Sequence, residues 1–233
     1  ECRAAVRGTG RTFAMKDFTL GQFLDACKGT YYGPSRLLEQ KLRGVKVDSR
    51  QIQEGDLFLA TVGERTDGHR FIPQVYEKGA LCAVSQQELI DPAGPYILVK
   101  DTLQALKDGA EAYRKTLSIP VVGVTGSVGK TSTKEMIAAV LGQKYKVLKT
   151  PGNFNNEIGL PLTVFMIEPE HEAAVLEMGM NHFGEMHRLS RIARPTHCVF
   201  TNIGVAHLEF LGSRDGILKA KMEMLDYASP DAR

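Results

Sequence analysis

The sequence predicts an α/β protein in two parts: a small α/β domain over residues 15–100, then an incomplete, mostly parallel sheet domain built on a P-loop over 101–233. Three observations carry that expectation. Strand-like apolar runs alternate with helical stretches, the units lengthen after residue 100, and a Gly-rich turn separates a β-branched run from a helical one.

Residues 1–14 (ECRAAVRGTGRTFA) show no apolar period, and their three Arg against one Glu account for the whole formal charge of +2. They are expected to be an extension outside the fold. From Met15 a helical pattern centred on Leu20 to Ala26 is followed by the short runs VKVDSR, DLFLAT, FIPQVYEKGA, ALCAVS and YILVK, which ends at Lys100. A helix over Thr102 to Leu117 then leads through Pro120 into the strand VVGVTG. After the Gly-rich turn, Met136, Ile137, Val140 and Leu141 recur at helical spacing. The strands AAVLEMG and HCVFTNIG follow, and a last helix is predicted over Asp215 to Ala228. The chain stops at Asp231-Ala232-Arg233 with the α/β pattern still open, as expected of a fragment whose C-terminal domain is absent.

Composition excludes several classes. Lys plus Arg (29) nearly balance Asp plus Glu (27), which argues against a nucleic-acid partner. No run approaches the roughly 18 apolar residues of a membrane span, and residues 1–14 lack the apolar middle of a secretory signal, so a cytoplasmic protein is expected. Cys2, Cys27, Cys82 and Cys198 form no C-x-x-C pair, and reduced thiols are expected rather than a zinc site or a disulfide framework.

The turn Gly126-Ser127-Val128-Gly129-Lys130-Thr131-Ser132 has the context a phosphate-binding loop needs, a strand before it and a helix after it. Glycines let backbone N–H groups curl toward phosphate oxygens, and the helix start adds partial positive charge. Lys130 can then reach the outer phosphates of ATP and the Thr131 hydroxyl can bind Mg²⁺. The first glycine stands at 126, where the general Walker pattern would place one at Val124, so this is the shorter T-G-x-x-G-K-[ST] form. An ordinary Gly-rich turn is the alternative.

Glu177 closes an apolar strand and should emerge at the sheet's carboxyl edge, where open α/β sheets bind ligands. A hard oxygen donor there suits Mg²⁺, although a surface Glu at a strand end is the plainer alternative. His207 follows the next strand and should reach the same edge, or be an ordinary solvated loop histidine. His182, His187 and His197 have no such placement and read as structural. On a helix over 215–228, at about 100° per residue, Ile217, Lys221, Met224, Leu225 and Ala228 share one stripe, with Leu218 at its edge. Lys219, Glu223 and Asp226 fall opposite. Lys221 thus either snorkels along the core's rim or is an inward lysine with a lowered pKa.

These segments, TGSVGKTSTKEM, TPGNFNNEIGLPLTV, LEMGMNHFGEM, TNIGVAHLEFLGS and KAKMEML, occur in the order found in Mur ligases, and VDSRQIQEGDLFLATVGERTDGHRFI resembles that family's first domain. The chain is similar to the family over nearly its whole length from Met15, and most of all to the branch that joins D-Ala-D-Ala to UDP-MurNAc-tripeptide. The resemblance implies an ATP-dependent ligase of peptidoglycan synthesis, acting through an acyl phosphate. Lys130 and Thr131 would hold ATP and a first Mg²⁺, with Glu177 and His207 at a second. Lys221 would be carried as a carbamate formed with CO₂. The loop residues Asn153 and Asn156 would contact nucleotide and Asn155 substrate, an assignment that could be exchanged among them. Ser49 and Arg50 would lie near the uridine end of the UDP-sugar, unless they form only a strand-end turn. A monomer working on small-molecule substrates is implied, and with the third domain missing the fragment is expected to be inactive alone. Another Mur-type ligase or a folylpolyglutamate synthase shares the P-loop and metal residues. A non-catalytic P-loop module is the alternative from a different class, but it would not need Lys221 on an apolar face.

Overall fold

The computed structural model describes residues 15–63, 66–204 and 208–233. The extension expected at 1–14, like His207, lies outside the described residues. Within them the α/β expectation holds, as two sheets sharing one continuous core.

The first sheet is built from β1 (Thr30–Tyr32), β2 (Val45–Lys46), β3 (Leu57–Leu59), β4 (Cys82–Ser85) and β5 (Tyr96–Leu98), in the order β1-β5-β4-β3-β2. All its pairs are parallel except β1 against β5. Helix α1 (Leu20–Cys27) starts with a capping box: Thr19 Oγ1 accepts from Gln22 N while Gln22 Oε1 accepts from Thr19 N. Helix α2 (Ile72–Glu77) precedes β4.

The second sheet is wholly parallel, in the order β7-β8-β6-β9, from β6 (Val121–Thr125), β7 (Val147–Lys149), β8 (Ala173–Glu177) and β9 (His197–Phe200). Its two faces alternate along each strand. Val121, Ala174 and Leu176 join the large core under α3 (Thr102–Lys115), α5 (Gly159–Phe165) and α6 (Glu185–Ala193), whereas Val124 and Val175 face Ala138 of α4 (Lys130–Leu141). The free edge of β9 is met by Arg233, whose N–H donates to Thr196 O at 3.2 Å and whose carbonyl accepts from Cys198 N at 2.8 Å.

Helix α3 joins the two sheets. Its buried Tyr113 stacks near Phe18 and Phe165, accepts from Lys16 N at 3.0 Å and donates to the Ile167 carbonyl. Arg114, also buried, donates to Ala193 O at 2.8 Å, Leu117 O at 2.7 Å and Arg194 O at 3.2 Å, capping the carbonyl end of α6. Burial lowers its guanidinium to about 10.

Two helix faces differ from the sequence pattern. On α4 the predicted apolar set splits: Ile137 and Leu141 lie toward the sheet, while Met136 and Val140 are 70% and 72% exposed. The reason is angular, because at about 100° per residue Met136 and Val140 fall opposite Ala138. The predicted helix over 215–228 is instead α8 (Arg214–Met222) followed by a 3-10 turn, Glu223–Leu225. Ile217 and Met224 are buried as expected and Lys221, of its two alternatives, is buried rather than snorkelling, but Leu225 is exposed, since the tighter turn rotates it off the stripe. A short α7 (Leu208–Leu211) precedes α8.

Candidate functional site

Between β6 and α4 the chain takes two positive-φ glycines, Gly126 at +152° and Gly129 at +81°. At Gly126 space as well as conformation excludes a side chain, because a Cβ would lie 1.9 Å from Thr201 Oγ1. The turn is clamped from the segment after β9. Thr201 Oγ1 donates to Val128 O at 2.5 Å, Val128 N to Asn202 Oδ1 at 3.0 Å, Ser127 N to Asn202 O at 3.1 Å, and Gly204 N to Ser127 Oγ at 2.9 Å. Lys130 Nζ donates to Gly126 O at 3.0 Å, so its ammonium folds back over the loop. Thr131 and Ser132 occupy the exposed first turn of α4. Thr125 Oγ1, at the end of β6, is buried with no hydrogen-bond partner among the described residues.

Glu177 ends β8 beside this loop and is 2% exposed. Its Oε2 accepts from Thr131 Oγ1 at 3.0 Å, its Oε1 accepts from Asn155 Nδ2 at 2.8 Å, and its N–H donates to Thr150 Oγ1 at 2.9 Å. Lys134 Nζ lies 3.7 Å from Oε2. A buried carboxylate gathered in this way has the oxygen chemistry a divalent cation requires, with the Thr131 hydroxyl as a second donor. Mg²⁺ therefore fits here, although no group of three His, Cys, Asp or Glu side chains forms a metal cluster among the described residues.

The three asparagines separate. Asn155 is on Glu177. Asn156 Oδ1 accepts from Ile158 N at 3.1 Å and Gly159 N at 2.8 Å, capping the start of α5. Asn153 is exposed, and its carbonyl accepts from Asn155 N at 2.7 Å.

Lys221, on α8, is 2% exposed, and its ammonium has no hydrogen-bond or ion-pair partner among the described residues. Burial pushes its amine down to about 8, and the positive charge of Lys130 adds to the shift. The helix is pinned by its neighbour Glu223, whose carboxylate accepts from Gly184 N at 2.9 Å and His187 N at 3.2 Å at the start of α6. His187 pairs with Asp226 at 2.6 Å, and His182 with Glu185 at 3.0 Å and the Phe210 ring.

Ser49 and Arg50 lie far along the chain from this loop, at a cleft of about 650 Å³ on the first sheet, lined also by Thr61, Thr66, Arg70 and Lys78. Ser49 is buried and its carbonyl accepts from Lys78 Nζ at 2.7 Å. Arg50 is exposed and paired with Asp48 at 2.8 Å, and the guanidinium holds that carboxyl down at about 2. Three cations, Arg50, Arg70 and Lys78, thus border a cleft able to take an anionic ligand. One wall is held by His69, whose Nδ1 bonds to Asp67 Oδ1 at 2.5 Å while Nε2 accepts from Gln86 N at 3.1 Å.

Sequence reasoning missed Lys134, Thr201, Asn202, Arg70 and Lys78. Lys134 had a legible signal, since it lies one turn after Lys130 and one before the buried Ala138. Thr201 and Asn202 meet the loop from a segment more than 70 positions away, and Arg70 and Lys78 reach the Ser49 cleft from a later segment, meetings that no local pattern encodes.

Two family models match the chain: Mur ligase family, catalytic domain, over residues 41–126, and Mur ligase middle domain over 124–233. The UDP-N-acetylmuramoyl-tripeptide--D-alanyl-D-alanine ligase of Bacillus subtilis (strain 168) is 46% identical over 215 residues, covering 91% of this chain and 47% of the relative. That of Escherichia coli (strain K12) is 40% identical, covering 90% and 45%. Among solved structures, MurF from Acinetobacter baumannii superposes with a TM-score of 0.84 at 35% identity, over 94% of this chain and 48% of that one. MurF ligase from Thermotoga maritima in complex with ADP gives 0.74 at 38%, over 81% and 44%. The chain spans about half the length of the relatives it matches.

Proposed function

The chain belongs to the Mur ligase family, and from that footing we propose that it carries the nucleotide and metal machinery of an ATP-dependent ligase joining D-Ala-D-Ala to UDP-MurNAc-tripeptide. The observation that carries the proposal is the meeting of Thr131 and Glu177 at the phosphate loop, 3.0 Å apart, where a nucleotide's outer phosphates and a divalent cation would share the site.

In the proposed reaction the free carboxylate of the tripeptide attacks the γ-phosphorus of ATP and ADP leaves. The amine of D-Ala-D-Ala then attacks the acyl phosphate, forming the amide and releasing phosphate. Lys130 leaves the Gly126 carbonyl to donate to phosphate oxygens, and the N–H groups at the start of α4 bind the same anion. Thr131 would hold a first Mg²⁺ and Glu177, which meets Thr131, would reach a second; Mg²⁺ would supply charge neutralisation between carboxylate and triphosphate. Glu177, His207 and a carbamylated Lys221 would hold that second Mg²⁺ in this scheme. Lys221 suits that role because only a neutral amine attacks CO₂; the N–C bond forms at Nζ and the proton leaves to solvent. Asn155 orients the Glu177 carboxylate toward substrate, and Asn153 and Asn156 belong to the nucleotide side of the loop. Residues 15–100 bind the UDP-sugar, with Ser49 and Arg50 at the uridine end and the Arg70 and Lys78 cations on its phosphates. The ADP-bound relative from Thermotoga maritima supports nucleotide binding.

The proposed parent enzyme is a cytoplasmic monomer; no helix among the described residues is long and apolar enough to cross a membrane. The test is ligation by the full-length parent, offered ATP, Mg²⁺ and UDP-MurNAc-tripeptide with D-Ala-D-Ala or with single amino acids. ADP release coupled to amide formation only with D-Ala-D-Ala supports the proposal. Ligation of glutamate to a folate instead would assign the chain to the folylpolyglutamate branch.

A further inference from the structure

Lys134 is a buried cation to which the mechanism above gives no part. It is 1% exposed on α4, one turn beyond Lys130. A lysine this close to a helix's exposed face could have snorkelled outward, yet its ammonium turns in. Nζ donates to Thr150 O at 2.9 Å and Gly152 O at 3.3 Å, pairs with Glu135 Oε1 at 3.2 Å, and stands 3.7 Å from Glu177 Oε2. Glu135 is at the exposed rim and also pairs with Lys149, whereas Glu177 is sealed in.

Thr150 closes a ring through these groups. Its carbonyl accepts from Lys134 Nζ while its hydroxyl accepts from Glu177 N at 2.9 Å. The two carbonyls anchor the ammonium, and the anchored ammonium faces the carboxylate oxygen that Thr131 also engages. A buried carboxylate with a fixed cation on one side and hydroxyl and amide donors on the others has a single favoured orientation.

We propose that Lys134 is a positioning residue for phosphoryl transfer: held by the Thr150 and Gly152 carbonyls, its ammonium fixes the Glu177 carboxylate against the phosphate loop. The proposal rests on the ligase function assigned above, so its test is built to separate the two. The measurement is single-turnover ligation by the full-length parent with enzyme in excess, ATP and Mg²⁺ saturating, beside metal-free ATP binding.

Lys134→Met is expected to slow ligation more than tenfold while metal-free ATP affinity stays within threefold, because Lys130 and the loop are untouched. A merely structural lysine would disturb both together. Breaking a buried pair can prevent folding, whereas removing both charges leaves none uncompensated. Glu177→Gln is therefore compared with Lys134→Met/Glu177→Gln. If Lys134 acts through Glu177, the double variant reacts within tenfold of Glu177→Gln alone. The proposal is overturned if Lys134→Met folds and reacts within tenfold of the parent, or if its ATP affinity falls with its rate. It is equally overturned if the double variant is tenfold or more slower than Glu177→Gln. Failure of the ligase assignment looks different, since the unaltered parent would then form no amide at all.

Discussion

Thr131, on the first turn of the helix after the phosphate loop, donates its hydroxyl to Glu177 at 3.0 Å across 46 positions of sequence. The bond joins the ends of two adjacent parallel strands, β6 through its loop and β8 directly. A glycine-flanked helix start and a buried carboxylate are thereby brought together, the pairing on which the proposed nucleotide and Mg²⁺ site rests.

Nucleotide affinity is expected to depend on Lys130. Its replacement by Ala removes a charge-assisted contact worth roughly 1.5–3 kcal/mol, about a 10- to 150-fold loss. The fold stays, because the side chain contributes only one bond to a loop carbonyl. Calorimetric titration of Mg-ATP against both forms checks this, and equal affinities would mean that phosphate binds elsewhere.

Gly126→Ala is expected to damage the loop itself. The new methyl would meet Thr201 Oγ1 at 1.9 Å in a backbone conformation at φ +152°, so strain of about 1–3 kcal/mol adds to the clash. Thermal melting and ATP titration should both fall. A variant that binds ATP as tightly as the parent would show that the clamp from Thr201 is dispensable.

Lys221 links the fold to pH. Its amine is pushed down to about 8 from 10.5 by burial and by Lys130. The unfolded chain therefore holds more protons than the folded one between those values, and stability rises with pH through that window. Below about 8 the cost of burying the charge is present in full. In bicarbonate-free buffer Lys221→Met should melt above the parent at pH 7, with the gap closing toward pH 10. A gap independent of pH would show that the amine titrates normally.

In the full-length parent, Lys221→Ala is expected to abolish ligation and spare ATP binding at the loop. A small carboxylic acid should restore part of the rate by filling the carbamate's place. Normal turnover by this variant would remove Lys221 from the mechanism.

Arg114→Met is a prediction about the joint between the sheets. It leaves the carbonyls of Leu117, Ala193 and Arg194 without their buried donor, a loss of roughly 1.5–3 kcal/mol. Denaturant unfolding measures it, and an unchanged midpoint would mean that water replaces the guanidinium.

The sequence by itself determined the α/β class, the strand–turn–helix setting of the Gly-rich loop, and the place of Lys221 on one stripe with Ile217 and Met224, because each is a local pattern of strand, turn and helical period; that Lys221 is buried rather than snorkelling was decided by the tertiary structure. Gly126, Gly129 and Lys130 are neighbours in the chain, so their order is already their geometry. Only the tertiary structure decided which side chains meet Glu177. Thr131, Lys134, Thr150 and Asn155 reach it from α4, the end of β7 and the loop beyond. It also separated Asn155, on the carboxylate, from Asn156, which caps a helix, although the two are adjacent and chemically identical. Leu225 left its expected stripe for the same kind of reason, since the turn that rotates it is a tightening of the backbone after Met222. Periodicity reports which face of an element avoids water. Which groups come together depends on how parallel strands are ordered in the sheet, and β8 lying between β6 and β7 is a contact across the chain that no local pattern contains.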